Sequence, residues 1–400
     1  MLAATLVQID EPFLLAQCAE GRSESITLDW KQQLPGKADG DRVEFLKDVS
    51  AMANADGGDI VYGVVENKQG EADRLEPILS EPADAAVRRL TNILDALEPR
   101  LRVQAQVVDV GSGYVLVLRV PASFDGPHSA RLPNQSTRRF VYRDGTRTSD
   151  MSYEQLRAAF DRTATLQRQA ADFRRARLDV IRTGHTPRPL QDGPVCVLHV
   201  IPLSGLARRH SLDIAELFRS NRWAQLGMRS GYGGLDRRLN LEGGVAYLSG
   251  EGASPGYTQA FRDGCIEATL IGGEHGETGN GQTRRHLWTD YVADLYRNGF
   301  ARALEELRTS GFEGPAVVAI SMLRVADFGL ATGNSFRRVT PAASSASPGE
   351  LIVPEAWIEH LEIADVDDTI RPLMDTLWQA FDVPRCEYFD PQTGRFASRN

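Results

Sequence analysis

Apolar positions along the first half of the chain switch repeatedly between a period of two and a period near 3.6. The stretch "ITLDWKQQL" alternates, with Ile26, Leu28 and Trp30 on one face and Thr27, Asp29 and Lys31 on the other, which predicts a half-buried strand. In "GDRVEFLKDVSAMANA" the apolar residues Val43, Leu46, Val49 and Ala53 recur at helical spacing, and Gly57-Gly58 marks the stop. "DIVYGVVEN" then reads as one β-branched strand, "PADAAVRRLTNILDALEP" as a helix, and "VQAQVVDV" with "YVLVLRVP" as a hairpin around Gly111-Ser112-Gly113. A short strand is predicted in "RRFVYRDG". Ser152, followed three residues later by Gln155, forms a capping box that should open a long helix running to about Arg182.

After the linker "TGHTPRPLQDGP" a second region begins with the apolar strand "PVCVLHVIPL". A helix is predicted near "SLDIAELFRS", a long amphipathic helix over "HLWTDYVADLYRNGFARALEELRTS", and another strand in "GPAVVAISML". Glycine-rich stretches at 230–244 and 272–282 read as loops, "GGEHGETGNGQ" as a mobile hairpin tip, "TPAASSASPGE" as a flexible loop, and the tail "PRCEYFDPQTGRFASRN" as loose. The expected class is mixed, α/β or α+β: a first domain over 1–165, a long basic helix and linker over 152–190, and a second α/β domain over 191–400.

Composition narrows the function without naming it. At 400 residues the chain has room for two or three cores. No apolar run reaches the roughly 18 residues of a membrane span, and acids interrupt the mildly apolar N-terminus, so neither a membrane partner nor a signal peptide is expected and the expected location is the cytoplasm. Cys18, Cys196, Cys265 and Cys386 are scattered and read as reduced packing residues. His185, His199, His210, His275 and His286 show no metal-ligand spacing. The net charge of −9 is distributed as −6 over 1–150, +4 over 151–190 and −7 over 191–400. Basic residues gather in "RLPNQSTRRFVYRDGTR" and "RQAADFRRARLDVIRTGHTPR", the kind of stripe that lets an acidic protein hold RNA or DNA locally, although a solvated helix face explains the second cluster equally well.

The chemistry-bearing stretch is "SESITLDWK". Asp29 and Lys31 share a strand face, a pairing suited to a carboxylate that holds a divalent cation beside an ammonium that stabilises phosphate charge. Glu24 has the opposite parity and can join them only from a turn before the strand. Glu66, at the end of "GGDIVYGVVEN", is a third candidate, and Asp48, Asp56 and Asp59 are spare acids, any one of which could replace it. Asn54, Gly57 and Gly58 read most simply as a helix cap and tight turn. Arg138, Arg139, Arg143 and Arg147, interleaved with Phe140 and Tyr142, fit a phosphate-tracking strand, with the aromatics expected in the core. No P-loop or dinucleotide fingerprint is present, which argues against an ATPase.

Together "ESITLDWK", "EFLKDVSAMANADGGDIVYGVVEN" and "RRFVYRDGTRTSDMSYEQLRAAF" resemble the AlbA-like (AlbA_2) domain of the Schlafen family in its bacterial form, over about residues 15–165. The resemblance implies a mixed-sheet domain and a metal-dependent ribonuclease triad that falls on Glu24, Asp29 and Glu66, with Lys31 matching the family lysine and Mg²⁺ or Mn²⁺ as cofactor. It implies tRNA or related structured RNA as substrate and a role in antiviral, anti-phage defence. Two of the three acids are conservative swaps, since the family's usual Glu is Asp29 here and its usual Asp is Glu66. The zinc-binding Cys and His set of vertebrate members is absent from the sequence, and no helicase motifs follow. A non-catalytic DNA-, RNA- or nucleotide-binding regulator is the alternative. The second domain is expected to bind a partner, to oligomerise or to sense.

Overall fold

The computed structural model describes residues 1–2, 6–130, 138–208, 210–220, 235–248, 252–277, 283–312, 314–330, 349–361 and 364–397. The chain divides into two compact units, Met1–Thr165 and Leu166–Asn400.

The first unit contains α1 (Glu11–Ala19), β1 (Leu28–Lys31), α2 (Asp39–Asn54), β2 (Gly58–Tyr62), β3 (Val64–Glu66), β4 (Ala72–Leu75), α3 (Ala83–Leu94), β5 (Leu97–Glu98), β6 (Gln104–Val110), β7 (Gly113–Val120), β8 (Ser129–Ala130), β9 (Val141–Asp144), β10 (Arg147–Asp150) and the start of α4 (Tyr153–Thr183). Its four-stranded sheet has the order β1-β2-β7-β6. The β1–β2 pair is parallel and the others are antiparallel. Period two divides the side chains between two cores. Ile60, Tyr62, Leu116 and Leu118 meet Phe45, Leu46, Val49 and Met52 of α2 and Leu90 of α3. Leu28, Trp30, Val61, Val115 and Val117 meet Leu14 of α1 on the other face. Burial of Leu28 and Trp30 is worth about 1.5–3 kcal/mol each, and it turns Asp29 and Lys31 toward α2 by strand parity.

The expected single strand over "DIVYGVVEN" is two strands. Gly63, at φ 99°, breaks it, and β3 then pairs with β4 instead of continuing β2. The capping box forms as read: the Gln155 amide donates to Ser152 Oγ at 3.2 Å, and the Ser152 amide donates to Gln155 Oε1 at 2.9 Å.

The second unit takes the rest of α4 and adds β11 (Val195–Pro202), α5 (Leu203–Leu206), α6 (Ile214–Arg219), β12 (Leu235–Leu239), β13 (Gly243–Leu248), β14 (Gly256–Phe261), β15 (Ile266–Ile271), β16 (Gly273–Glu277), β17 (Thr283–Leu287), α7 (Thr289–Thr309), β18 (Ala316–Leu323), β19 (Gly329–Leu330), β20 (Glu350–Ile352), β21 (Ala356–Ile358) and α8 (Val366–Gln379). Among the described residues its main sheet runs β12-β13-β14-β15-β11-β18-β20, with β21 also on β18, and every pairing is antiparallel. Residues of α7 and α8, among them Tyr296, Phe300, Leu373 and Trp378, pack with Leu198, Val200, Ile320 and Met322 on one face. Leu178 and Ile181 of α4 pack on Val195, Val197 and Leu323 on the other.

The tail expected to be loose is packed, with Cys386, Tyr388 and Phe389 buried and Phe396 stacked on Tyr388. The basic cluster of 168–188 is partly internal. Arg177 donates to buried Glu267 at 2.9 and 3.1 Å, and Arg174 donates to the Ile320 and Val353 carbonyls and to Ser321, so neither is a solvated or phosphate-facing side chain. All four cysteines are free thiols. The tip of the β16–β17 hairpin, residues 230–234 and most of "TPAASSASPGE" lie outside the described residues; the rest of the expected loop over 230–244 is instead β12 and the start of β13, and the expected loop over 272–282 holds β16, because their backbones pair with neighbouring strands. Among the described residues no helix is long and apolar enough to cross a membrane.

Candidate functional site

The acids of "SESITLDWK" meet at the free edge of β1. A tight turn with Ser25 bridged to Leu28 precedes the strand, and the backbone of Glu24 donates to the Gly70 carbonyl, which fixes this segment beside the start of β4. Glu24 therefore enters from the turn, the only route its parity allows. Its Oε1 accepts the Trp30 amide at 3.0 Å, capping an edge-strand donor. Its carboxyl lies close to those of Asp29 and of Glu66, the latter presented by β3 from beyond the Gly63 break. Burial, reinforced by those two neighbouring carboxyls, pushes Glu24 up to about 8. It therefore holds its proton more tightly than an ordinary carboxyl.

Asp29 is the ionised partner. Burial opposes its charge, but the Glu24 hydrogen bond, Arg143 and Lys31 together hold its carboxyl below the usual range. Arg143 Nη2 donates to Asp29 Oδ1 at 3.1 Å, and the Lys31 ammonium lies 3.1 Å from Oδ2. Oδ2 is itself buried and accepts no well-angled hydrogen bond. Lys31 also reaches Asp48 Oδ2 of α2 at 3.9 Å. Burial alone would lower the Lys31 ammonium, and Asp29 and Asp48 outweigh it to raise it. Burial pushes Asp48 up to about 6 despite Lys31.

Two sequence expectations change here. An arginine does neutralise the acids: Arg143, with its side chain 2% exposed, is buried against Asp29 and is not a surface phosphate contact. The parity of β9 accounts for this, because Val141 and Arg143 point inward while Tyr142 is only half-buried. Phe140 is likewise half-buried, edge-on to Phe160 of α4. Arg138, Arg139 and Arg147 are exposed. Arg138 pairs with Glu98, and Arg139 with Asp150 at 2.6 Å. Asp59 is no substitute ligand, since it is fully buried, bonded to Arg119 at 2.8 and 3.0 Å and to the Leu2 amide at 2.7 Å. Asp56 is exposed in the turn after α2. Sequence reading gave Asp48 too little weight and misassigned Arg143.

The Asn54, Gly57, Gly58 segment is a junction as well as a cap. The Gly57 amide closes α2 on the Met52 carbonyl at 2.9 Å. At Gly58, φ is 149° and a Cβ would stand 2.4 Å from the Thr27 carbonyl, so only glycine lets β2 approach the chain entering β1. Asn54 Nδ2 donates to the carbonyls of His128 (2.9 Å) and Val141 (2.8 Å), and its Oδ1 accepts the His128 amide (2.7 Å). It thereby clips β9 onto the end of α2.

A divalent cation suits this donor set in part. Glu24 stands close to both Asp29 and Glu66, and all three are oxygen donors of the kind a hard cation takes, with Asp29 Oδ2 buried and without a well-angled donor. Yet among the described residues no group of three His, Cys, Asp or Glu side chains is placed to hold a metal ion.

Residues 24–152 match the family model described as Schlafen, AlbA_2. No curated protein matches the chain. Among solved structures, the N-terminal domain of a RecG-related protein from Nitrosomonas europaea is 26% identical, over 33% of this chain and 88% of that one, with a TM-score of 0.24. The DIP2311 protein from Corynebacterium diphtheriae is 22% identical, over 34% of this chain and 25% of its own length, also with a TM-score of 0.24. The first unit of this protein thus carries a Schlafen AlbA_2 domain.

Proposed function

We propose that the protein is a cytoplasmic, metal-dependent endoribonuclease acting on tRNA or related structured RNA, with a role in antiviral defence and a second unit that binds a partner or a second copy, or senses. The AlbA_2 domain supports a nucleic-acid-related function. The observation that carries the finer reading is the contact of Glu24 with both Asp29 and Glu66, with Glu24 pushed up to about 8. Such crowding costs folding free energy, and a cation relieves it. Glu24, Asp29 and Glu66 would hold Mg²⁺ or Mn²⁺, which when bound supplies Lewis acidity and an activated water. Lys31, partly exposed beside Asp29, places positive charge where a scissile phosphate would gather its negative charge. Exposed Arg138, Arg139 and Arg147 would exchange carboxylate partners or water for backbone phosphates.

A second reading has its own observation. Arg143 and Lys31 already balance Asp29, as they would in a non-catalytic nucleic-acid-binding domain. Total tRNA incubated with the protein in Mg²⁺, in Mn²⁺ or in EDTA, beside Glu24→Gln, separates the two. The nuclease reading expects discrete metal-dependent fragments that are absent from the variant. Intact RNA in every lane, with a mobility shift equal in both proteins, establishes the binder.

A further inference from the structure

We infer that the first unit holds a dinucleotide unit, two nucleosides joined by a phosphodiester, in two adjoining clefts that meet at Arg89. The inference rests on the nucleic-acid reading of this unit and needs neither a metal nor cleavage. One cleft, about 420 Å³, lies between the chain leaving β1 and the loop from β4 to α3. Leu34, Pro35, Pro77 and Leu79 give it apolar walls, and Gln33 and Lys37 are among its polar groups. Leu79 is 70% exposed. The other cleft, about 580 Å³, lies between α2 and α3, floored by Val43, Leu46, Ala85 and Ile93 and edged by Arg42, Arg88 and Asn92. Both volumes fall within the roughly 300–1,000 Å³ of small-ligand sites, which join apolar lining to a few polar groups. The apolar walls suit the faces of bases and riboses. Side-chain amides donate and accept at once, as base edges require, and guanidinium groups stack on flat rings.

Arg89, on α3, is the residue the two clefts share. Its Nε donates to Glu81 Oε1 at 3.1 Å and its Nη2 also donates to Glu81, whereas Nη1 is buried and has no acceptor among the described residues. Glu81 thus stands where a phosphate would, because carboxylate and phosphate oxygens both match the guanidinium fork. The pair is not sealed in: the Arg89 and Glu81 side chains are 20% and 18% exposed. A phosphodiester that displaces Glu81 refills the fork at the junction of the clefts, and exposed Lys37, Arg42 and Arg88 stand to either side of it. Four cations, Lys37, Arg42, Arg88 and Arg89, face Asp39, Glu76 and Glu81 in the lining, a local charge of +1 on a chain of −9. Binding is therefore an exchange of carboxylate for phosphate, and the two members of the ion pair should act with opposite signs.

Fluorescence anisotropy in EDTA, with the full chain and two fluorescein-labelled probes, tests this: a random-sequence RNA decamer and a mixture of all ribodinucleotides. Wild type is compared with Arg89→Gln, Glu81→Gln and Arg42→Gln/Arg88→Gln, each checked for cooperative thermal unfolding. Arg89→Gln should bind about tenfold more weakly. Glu81→Gln, which removes the competing carboxylate, should bind about fivefold more tightly. The double variant should weaken decamer binding and flatten the dependence of log affinity on log salt by about 1.4. Arg89-dependent binding of the ribodinucleotides assigns the clefts to a free dinucleotide, and Arg89-dependent binding of the decamer alone assigns them to a step within a strand. Wild-type affinity in Arg89→Gln overturns the site and leaves nucleic acid bound elsewhere on the protein. Weakening in both Arg89→Gln and Glu81→Gln overturns the exchange, since it marks the pair as structural. If Arg89→Gln does not fold, Glu81→Gln and the double variant decide by the same signs. Failure of wild type to bind either probe overturns the inference together with the nucleic-acid reading.

Discussion

At the scale of single residues, the site is a balance of charges that no one residue type announces. Glu24 and Asp29 are neighbouring carboxylic acids, yet one is pushed up to about 8 and the other held below its usual range. The difference lies in their partners, because Asp29 has Arg143 and Lys31 whereas Glu24 has two acids and a backbone amide. Substitutions should separate accordingly. Asp29→Ala leaves the Arg143 guanidinium buried and unpaired, which should cost about 3–5 kcal/mol in urea unfolding. Glu24→Gln removes the cost of placing an acid that is ionised in the unfolded chain into a site that resists its charge, so it should be more stable than wild type at pH 7, with the gain shrinking as pH falls toward 4.5. A comparable loss in both would contradict the assignment of charges. For the same reason Glu24→Gln, and not Asp29→Ala, is the variant suited to the RNA cleavage assay.

At the scale of elements, what was legible in sequence is what local periodicity encodes. The pattern of α2, α3, the β6–β7 hairpin and the capping box of α4 depends on neighbours a few residues apart, and each forms where its spacing puts it. The parity of "LDWK" likewise placed Asp29 and Lys31 on one face and required Glu24 to come from a turn. What was illegible depends on distant contacts. The break at Gly63 shows only when β4 is there to pair, and Arg143 reads as surface-facing until β9 is seen against Asp29. The same holds for α4, whose basic run looked like a solvated or RNA-binding face. Two of its arginines instead lie under the helix, where Glu267 accepts from Arg177, from His199 Nε2 at 2.9 Å and from Tyr257 at 2.7 Å.

Burial would raise Glu267, but the hydrogen bonds from His199 and Arg177 outweigh it and lower it to about 2. A folded-state value below the ordinary 4.5 means that its ionisation stabilises the fold above about pH 4.5, and that this contribution fades as pH falls toward 2. Glu267→Gln should therefore be less stable than wild type by about 3 kcal/mol at pH 7. The gap should narrow between pH 4.5 and pH 3 in thermal melts. A gap of constant size across that range would contradict this account of the network.

At the scale of the whole molecule, the net charge of −9 sets the terms on which RNA could bind. Several arginines of the basic stretches are engaged internally: Arg143 with Asp29, Arg177 with Glu267, and Arg182 with Glu350 at 2.7 Å. General attraction to phosphate should be correspondingly weak, and any tight RNA binding should depend on one localised site in the first unit. A bound divalent ion would also offset part of the local excess of acids, so that metal and nucleic acid favour each other's binding.

If the first unit is the nuclease proposed above, Glu24, Asp29 and Glu66 share one divalent cation. The most direct measurement is an anomalous difference map from a crystal of the full chain soaked in Mn²⁺. The account predicts a single strong peak about 2.1 Å from oxygens of all three carboxylates, with Arg143 still on Asp29 Oδ1. A map with no peak there, and with Glu24, Asp29, Arg143 and Lys31 still bonded to one another, would contradict it and leave the first unit a nucleic-acid-binding domain with structural acids.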